Sequence, residues 1–321
     1  MSTGMNRRVH VNDVAPRDGL QMEKHFVPTE DKIAFIDALS DCGFDRIEAT
    51  SFVSAKAIPA LRDAEIVMQR IRRKPGVTYT VLVPNLRGME RAIESRADEL
   101  NLVMSCSESH NRANLGMSRA GSLGQLLEVV RHAGRAGIRC NVSLSTAFGC
   151  PFEGEVPIAE VRRLAGEVMQ GGAAGLTLCD TTGMADPAQV ERVIGAISAA
   201  VPLPQLTIHL HDTRGMGLAN ALAALRSGVQ HFDASCAGLG GCPYAPGASG
   251  NISSELLVHM LDSMGVESGV DLDRLLDVAA IVPRLIEREL PNPLLAAGPR
   301  SRRYPLPEGV VRTAEAPLRA A

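Results

Sequence analysis

The stretch Gly175-Leu-Thr-Leu-Cys-Asp-Thr-Thr-Gly-Met-Ala-Asp-Pro187 contains one complete structural transition. A short apolar run ends on Asp180, Thr181-Thr-Gly183 breaks it, and Asp186-Pro187 supplies a capping side chain followed by a residue suited to a first helical turn. Helical periodicity follows, so the stretch reads as a strand leading into a helix. The same rhythm recurs eight times. Strands are predicted at Val9 to Ala15, Arg46 to Thr50, Tyr79 to Val83, Glu99 to Met104, Arg139 to Leu144, Gly175 to Cys179, Gln205 to Leu210 and His231 to Ser235. Thr29 to Cys42, Ala55 to Ile71 and Ser122 to Ala136 read as helices between them. Pro28-Thr29-Glu30 and Ser253-Ser254-Glu255 are further helix starts, and Gly137, Gly175 and Gly228 fall where a helix end before a strand favours positive φ.

Eight such units predict a closed (β/α)₈ TIM barrel of the α/β class, a single domain with a short C-terminal extension. The competing architecture, an open doubly wound sheet, lacks its G-x-G-x-x-G turn after the first strand. Residues 1–8 read as a flexible N-terminus and 9–290 as the barrel. In 291–321 the composition shifts to Pro, Arg and Gly, which reads as a partly disordered or surface-draped tail.

With 321 residues and 45% hydrophobic content, the chain can bury a large core. A formal net charge of -3, with both signs mixed throughout, argues against nucleic acid or an anionic membrane as partner and for a small molecule. No leader-like or membrane-spanning apolar run is present, so the expectation is a cytoplasmic protein. Seven irregularly spaced cysteines fit a reducing compartment better than a disulfide framework.

In a parallel barrel the functional face lies at the C-terminal ends of the strands. Arg17 and Asp18 follow the first predicted strand, Glu48 lies late in the second, Asp180 ends the sixth, and His209 and His211 close the seventh. The two histidines are two residues apart on a strand, so both imidazoles share one face. Taken alone, such a pair is more often two ordinary half-buried histidines than two ligands. Asp18 and Asn251 can add oxygen ligands, and the mixed set suits Mg²⁺ or Mn²⁺ better than a thiolate zinc site, with zinc still open. Arg17 reads either as a surface ion pair with Asp18 or as a guanidinium stabilising an oxyanion. Glu48 fits a structural acceptor or a proton-transfer group equally, whereas the surroundings of Asp180 favour catalysis.

After the eighth predicted strand, Gly238-Leu-Gly-Gly-Cys-Pro-Tyr-Ala-Pro-Gly-Ala-Ser-Gly-Asn251 carries five glycines and two prolines and reads as an irregular loop. Cys242 in this loop reads as inert filler or as an acid/base group closing over bound substrate, with motion centred on Gly240 to Gly247 and fading at Asn251. Lysine occurs only at positions 24, 32, 56 and 74, so later strands offer no lysine for Schiff-base chemistry. Carbon–carbon chemistry in this chain therefore leans on a metal.

Taken together, these motifs resemble the 3-hydroxy-3-methylglutaryl-CoA lyase family, among metal-dependent barrel lyases related to isopropylmalate and homocitrate synthases. The match runs through Val14-Ala-Pro-Arg-Asp-Gly-Leu-Gln21, Ile47-Glu-Ala-Thr-Ser-Phe-Val-Ser54, Val83-Pro-Asn-Leu86, Gly149-Cys-Pro-Phe-Glu-Gly154, Cys179-Asp-Thr-Thr-Gly183, His209-Leu-His-Asp-Thr213 and the glycine-rich loop. The resemblance implies a homodimeric barrel lyase of leucine degradation that cleaves 3-hydroxy-3-methylglutaryl-CoA to acetyl-CoA and acetoacetate with Mg²⁺ or Mn²⁺. It implies Asp18, His209, His211 and Asn251 as metal ligands, Arg17 facing the thioester enolate, Cys242 as acid/base, and Glu48 and Asp180 as supporting acids. Met22, Ala57 and Phe152 stand where the family usually carries Asn, Trp and often Tyr. These departures leave open a longer branched 3-hydroxyglutaryl-CoA or citramalyl-CoA as substrate. An acetyl-CoA-dependent synthase of 2-oxo acids and a non-catalytic metal-binding barrel are the remaining alternatives.

Overall fold

The computed structural model describes residues 8–241 and 250–307. Eight strands, β1 (His10–Asp13), β2 (Arg46–Ser51), β3 (Thr78–Leu82), β4 (Glu99–Ser105), β5 (Arg139–Ser145), β6 (Gly175–Asp180), β7 (Leu206–Leu210) and β8 (His231–Ala234), form a closed barrel in chain order. All neighbours are parallel, and β8 pairs back onto β1 through His10–His231 to Asp13–Ala234. Between them run α1 (Thr29–Asp41), α2 (Ala64–Arg70), α3 (Leu86–Glu94), α4 (Glu108–Leu115), α5 (Arg119–Arg135), α6 (Ile158–Gln170), α7 (Pro187–Ile197) and α8 (Gly217–Arg226). Three further helices, α9 (Ser254–Ser263), α10 (Leu272–Leu285) and α11 (Pro293–Ala297), follow β8. Among the described residues no helix is long and apolar enough to cross a membrane.

The barrel follows from alternation. Ile47, Leu100, Val142, Leu176, Ile208 and Phe232 each belong to one buried core shared with helical residues such as Leu39, Val129, Val168 and Ile194. Burying a side chain of this size contributes about 1.5–3 kcal/mol, and the alternate residues are left for the barrel interior. That interior is polar and internally paired. Asn101 donates to Glu48 (2.9 Å) and accepts from Asn141 (3.1 Å) and Ser143 (2.9 Å), while Asn141 also donates to Thr177 (2.9 Å). Each bond spares a buried polar group the roughly 1–3 kcal/mol penalty of going unpaired.

The predicted strands agree with the observed ones to within two residues at each end. Asp186 and Ser253 cap α7 and α9 by accepting from Gln189 N (2.9 Å) and Leu256 N (3.2 Å). Two local expectations fail. The predicted helix from Ala55 to Ile71 begins only at Ala64, because residues 54–58 form a turn on the Ser54 carbonyl and Pro59 starts a separate 3₁₀ turn. Gly137 (φ 74°) and Gly228 (φ 92°) do take positive φ, but Gly175 does not. Gly172 (φ 96°) makes that turn instead. At Gly175 the requirement is close packing, since a Cβ there would lie 2.9 Å from Asn141 Oδ1.

At the end of β1 the buried carboxylate of Asp13 accepts from Ala15 N (2.9 Å) and Ser254 Oγ (2.7 Å), joining the first strand to α9. Burial, with a smaller contribution from Glu255, pushes its pKa up to about 7 against the pull of those two donors. The folded protein therefore holds a proton that the unfolded chain has released, and stability falls as pH rises from about 4 to about 7. Asp13→Asn is expected to lack this decline, so urea midpoints of the variant gain on the unmodified protein across that range. A pH-independent gap between the two would show that Asp13 is already ionised in the fold.

Candidate metal and acyl site

After β1 the chain enters a π-helical turn, Ala15–Gly19, closed by Asp18 N to Val14 O (2.8 Å) and Gly19 N to Val14 O (3.4 Å). Pro16 lacks an N–H and fits the first turn, and Gly19 leaves room where a Cβ would meet Leu239 Cβ at 2.7 Å. The turn directs Arg17 and Asp18 toward the C-terminal end of the barrel. Arg17 is buried and doubly paired: Nε donates to Glu48 Oε2 (2.6 Å) and an Nη to Asp18 Oδ1 (2.6 Å). Both Glu48 oxygens are engaged, Oε2 by Arg17 and Oε1 by Asn101. A bulge between Glu48 and Thr50 shifts β2 against β3 at this point.

His209 sits on β7 and His211 just beyond it. Their Nε2 atoms are 3.2 Å apart, and His209 Nε2 is 4.0 Å from Asp18 Oδ2. Among the described residues, Asp18, His209 and His211 form a group whose candidate ligand atoms all lie within 4.8 Å of one another. Segment 250–253 is threaded between the ends of β7 and β8, with Asp212 N to Gly250 O (2.9 Å), Ile252 N to Leu210 O (3.0 Å) and Ser235 N to Ile252 O (3.0 Å). Asn251 thereby bridges His211, and its amide nitrogen donates to Asp18 Oδ2 (2.8 Å) and Leu239 O (2.9 Å).

The charges in this group are interdependent. Burial alone would raise Asp18, but Arg17, His209, His211 and the Asn251 amide bring it down to about 2. Burial works against charge on His209, yet Asp233 and Asp18 outweigh it and raise its pKa. Burial and the adjacent His209 lower His211 to about 3. Asp18 thus stays anionic while His211 keeps a free lone pair.

One carboxylate oxygen and two imidazole nitrogens are a donor set for a divalent cation of intermediate hardness. The 3.2 Å between the Nε2 atoms is close to the roughly 3 Å edge of an octahedral Mg²⁺ shell with ligands at about 2.1 Å. Asn251 Oδ1 is buried with no hydrogen-bond partner, an orphaned acceptor beside the group. The residues fit a divalent metal.

The structure brings Arg17, Asp18, Glu48, His209, His211 and Asn251 together. Asp180, at the end of β6, is buried with its carboxylate turned to Met184 N (2.7 Å) and Ala185 N (3.2 Å), where burial raises it to about 6 despite those donors. It braces the loop after β6, and neither it nor Glu48 is among the described residues lining the cavity. Cys242, and most of the Gly240 to Gly247 stretch expected to move, lie outside the described residues. Sequence reasoning missed Asp233, whose Oδ2 lies 3.3 Å from His209 Nδ1, and Asn101, which secures Glu48. The signal was present: each is a polar residue on the inward period of a strand otherwise apolar on its other face.

A cavity of about 510 Å³ opens above the group, a size ordinary for small-molecule sites. Arg17, Asp18, His209 and His211 line one end of it with Asn101, Ser143, Ser145 and Thr181. Met22, Ala57, Ile58, Leu115, Met117 and Leu126 line an apolar wall. Arg62 and Lys32 stack on Phe26 at 3.4 and 4.1 Å, and Lys32 donates to Asp63 (2.7 Å), pinning the loop that carries Met22 against the one that carries Ala57.

The chain is 47% identical over 286 residues to the hydroxymethylglutaryl-CoA lyase of Bacillus subtilis, covering 89% of this chain and 96% of that one. It is 43% identical over 282 residues to the mitochondrial hydroxymethylglutaryl-CoA lyase of Gallus gallus, covering 88% and 95% respectively. A solved HMG-CoA lyase from Acinetobacter baumannii, in complex with coenzyme A and 3-methylmalate, superposes with a TM-score of 0.91 at 46% identity, covering 95% of this chain and all of the other. The HMGL-like family model matches residues 8–282, and the chain belongs to the HMGL-like family.

Proposed function

We propose that this chain is a metal-dependent lyase that cleaves 3-hydroxy-3-methylglutaryl-CoA to acetyl-CoA and acetoacetate. The observation that carries the reading is the Asp18–His209–His211 group beside a cavity-lining, doubly paired Arg17. Asp18 and the two Nε2 atoms would hold Mg²⁺ or Mn²⁺, and Asn251 would add Oδ1 by turning its amide. Bound there, such an ion acts as a Lewis acid that lowers the pKa of a coordinated hydroxyl.

The protein's own groups account for the rest. Arg17 is held rigid by Glu48 and Asp18, so its charge meets a developing thioester enolate oxygen without reorganising. Glu48 anchors Arg17, and Asp180 shapes the loop after β6. Cys242 would protonate the acetyl-CoA carbon. Ser145 of β5 and the second amide hydrogen of Asn101 on β4, both on cavity-lining residues, would offer hydrogen bonds to the acyl oxygens. The family resemblance further supports a homodimer acting in the cytoplasm, in leucine breakdown.

A second reading of the acyl group rests on one observation. Met22 and Ala57, two departures from the usual family pattern, both line the apolar side of the cavity. A small residue at position 57 leaves space for a larger alkyl group at the carbinol carbon, as in a longer branched 3-hydroxyglutaryl-CoA.

Purified protein supplied with Mg²⁺ or Mn²⁺ is expected to release acetoacetate from 3-hydroxy-3-methylglutaryl-CoA, to lose this activity with a chelator and to regain it on metal addition. Mass-spectrometric product analysis that never detects acetoacetate would sink the reading. Cys242→Ser should lower turnover far more than it weakens metal binding, and near-unchanged turnover would remove the cysteine from the mechanism. Ala57→Trp should shift kcat/KM toward the methyl substrate over its 3-ethyl homologue by about 10–200-fold, the range for one methylene in an apolar pocket. An unchanged ratio would mean that this wall does not face the alkyl group.

A further inference from the structure

His209 can offer its Nε2 lone pair to the Asp18–His211 group only if its ring proton resides on Nδ1. A neutral imidazole carries one N–H, and the partner of each nitrogen decides which. On β8, Phe232 and Ala234 are buried in the core while Asp233 alternates inward, in register with His209 on one side and Asn12 on the other. Asp233 Oδ2 lies 3.3 Å from His209 Nδ1, and its Oδ1 accepts from Asn12 Nδ2 at 2.9 Å. The carboxylate is nearly enclosed, with 14% of its side chain exposed against 9% for His209. With Oδ1 accepting from Asn12, Oδ2 faces Nδ1 as an acceptor, which selects the tautomer with hydrogen on Nδ1 and leaves Nε2 bare. His211 has no such arrangement among the described residues, since its Nδ1 is buried without a partner.

We propose that Asp233, held by Asn12, is a positioning residue that fixes the tautomer and ring orientation of His209 for metal binding. The inference rests on the metal-site reading above. It makes the two histidines unequal: one is oriented through β1 and β8, while the other is placed by its contact with segment 250–253. The Asn12–Asp233–His209 chain also spans the seam where β8 closes onto β1.

The test is Asp233→Asn in the full-length protein, titrated calorimetrically with Mn²⁺ alone. An asparagine of the same shape can donate to Nδ1 and so favour hydrogen on Nε2. The expected result is a 10- to 100-fold weaker Mn²⁺ affinity, the usual effect of losing a ligand's orienting partner, with the metal-free thermal midpoint little changed. Long-range ¹H–¹⁵N spectra of the metal-free protein, at a pH where His209 is neutral, should place its proton on Nδ1 in the unmodified chain and on Nε2 in Asp233→Asn, a readout that a purely structural role would not move. Asp233→Glu, which keeps the carboxylate, should recover part of the affinity. Mn²⁺ affinity unchanged in Asp233→Asn, or a His209 proton found on Nε2 in the unmodified chain, overturns the proposal. Should Asp233→Asn fail to fold, Asn12→Ser decides: a several-fold loss of affinity supports the relay and no loss overturns it. Absence of stoichiometric Mn²⁺ binding by the unmodified chain would instead sink the metal reading and this inference with it.

Discussion

The site depends on one buried cation. Enclosing a guanidinium costs several kcal/mol of desolvation, and Arg17 is stable in place only because Glu48 and Asp18 flank it. The pairing works in both directions. Glu48 is itself buried and is fixed from behind by Asn101, whose other bonds run to Asn141 and Ser143. Asp18 is fixed on its other oxygen by Asn251. Removing Arg17 would strand two carboxylates in a space too dry for them, so deleting it could not separate the proposed catalytic role from the architectural one.

Glycine serves a different end from the one its abundance in the loop first implies. Gly238, Gly240 and Gly250 all take positive φ. A Cβ on Gly250 would run into the Gly240 carbonyl, and one on Gly240 would lie 2.5 Å from Asn251 Nδ2. At the described foot of the loop the glycines let the outgoing and returning strands of chain touch, which locks Asn251 beside Asp18. Close approach here is backbone to backbone.

The barrel was legible because alternation and capping are local properties: the Gly175–Pro187 unit needs only its own residues to be read as a strand leading into a helix. The grouping of Asp18, His209 and His211 was legible through the two-residue spacing of the histidines and the position of Asp18 at a strand end. Asp233 was harder to see. On β8 it is one carboxylate between Phe232 and Ala234, and its meaning arises only from register with His209, two strands' worth of sequence that no local pattern connects. The helix expected from Ala55 was misjudged for the opposite reason, because apolar spacing there is real but Ala57 and Ile58 serve the cavity wall instead of a helix face. Asp180 was read from its neighbours as a reacting group; its hydrogen bonds from the amides of the loop that follows depend on the fold of that loop and could not be read from the sequence.

The Asp18–His209–His211 group and the apolar wall of the cavity come from separate parts of the chain. The ligand group comes from the turn after β1, from β7 and from segment 250–253, all tied into the barrel by backbone hydrogen bonds and the polar interior. The apolar wall comes from the loops after β1 and β2 and from the region of α4 and α5, which reach the cavity through side chains such as Met22, Ala57 and Leu115. None of these apolar residues bonds to Arg17, Asp18 or either histidine. A substitution in the wall therefore changes the volume offered to an acyl group without disturbing the charges that would break a carbon–carbon bond. By contrast, the Asp18–His209–His211 group is tied by side-chain bonds to Asn251 and, through Asp233, to Asn12.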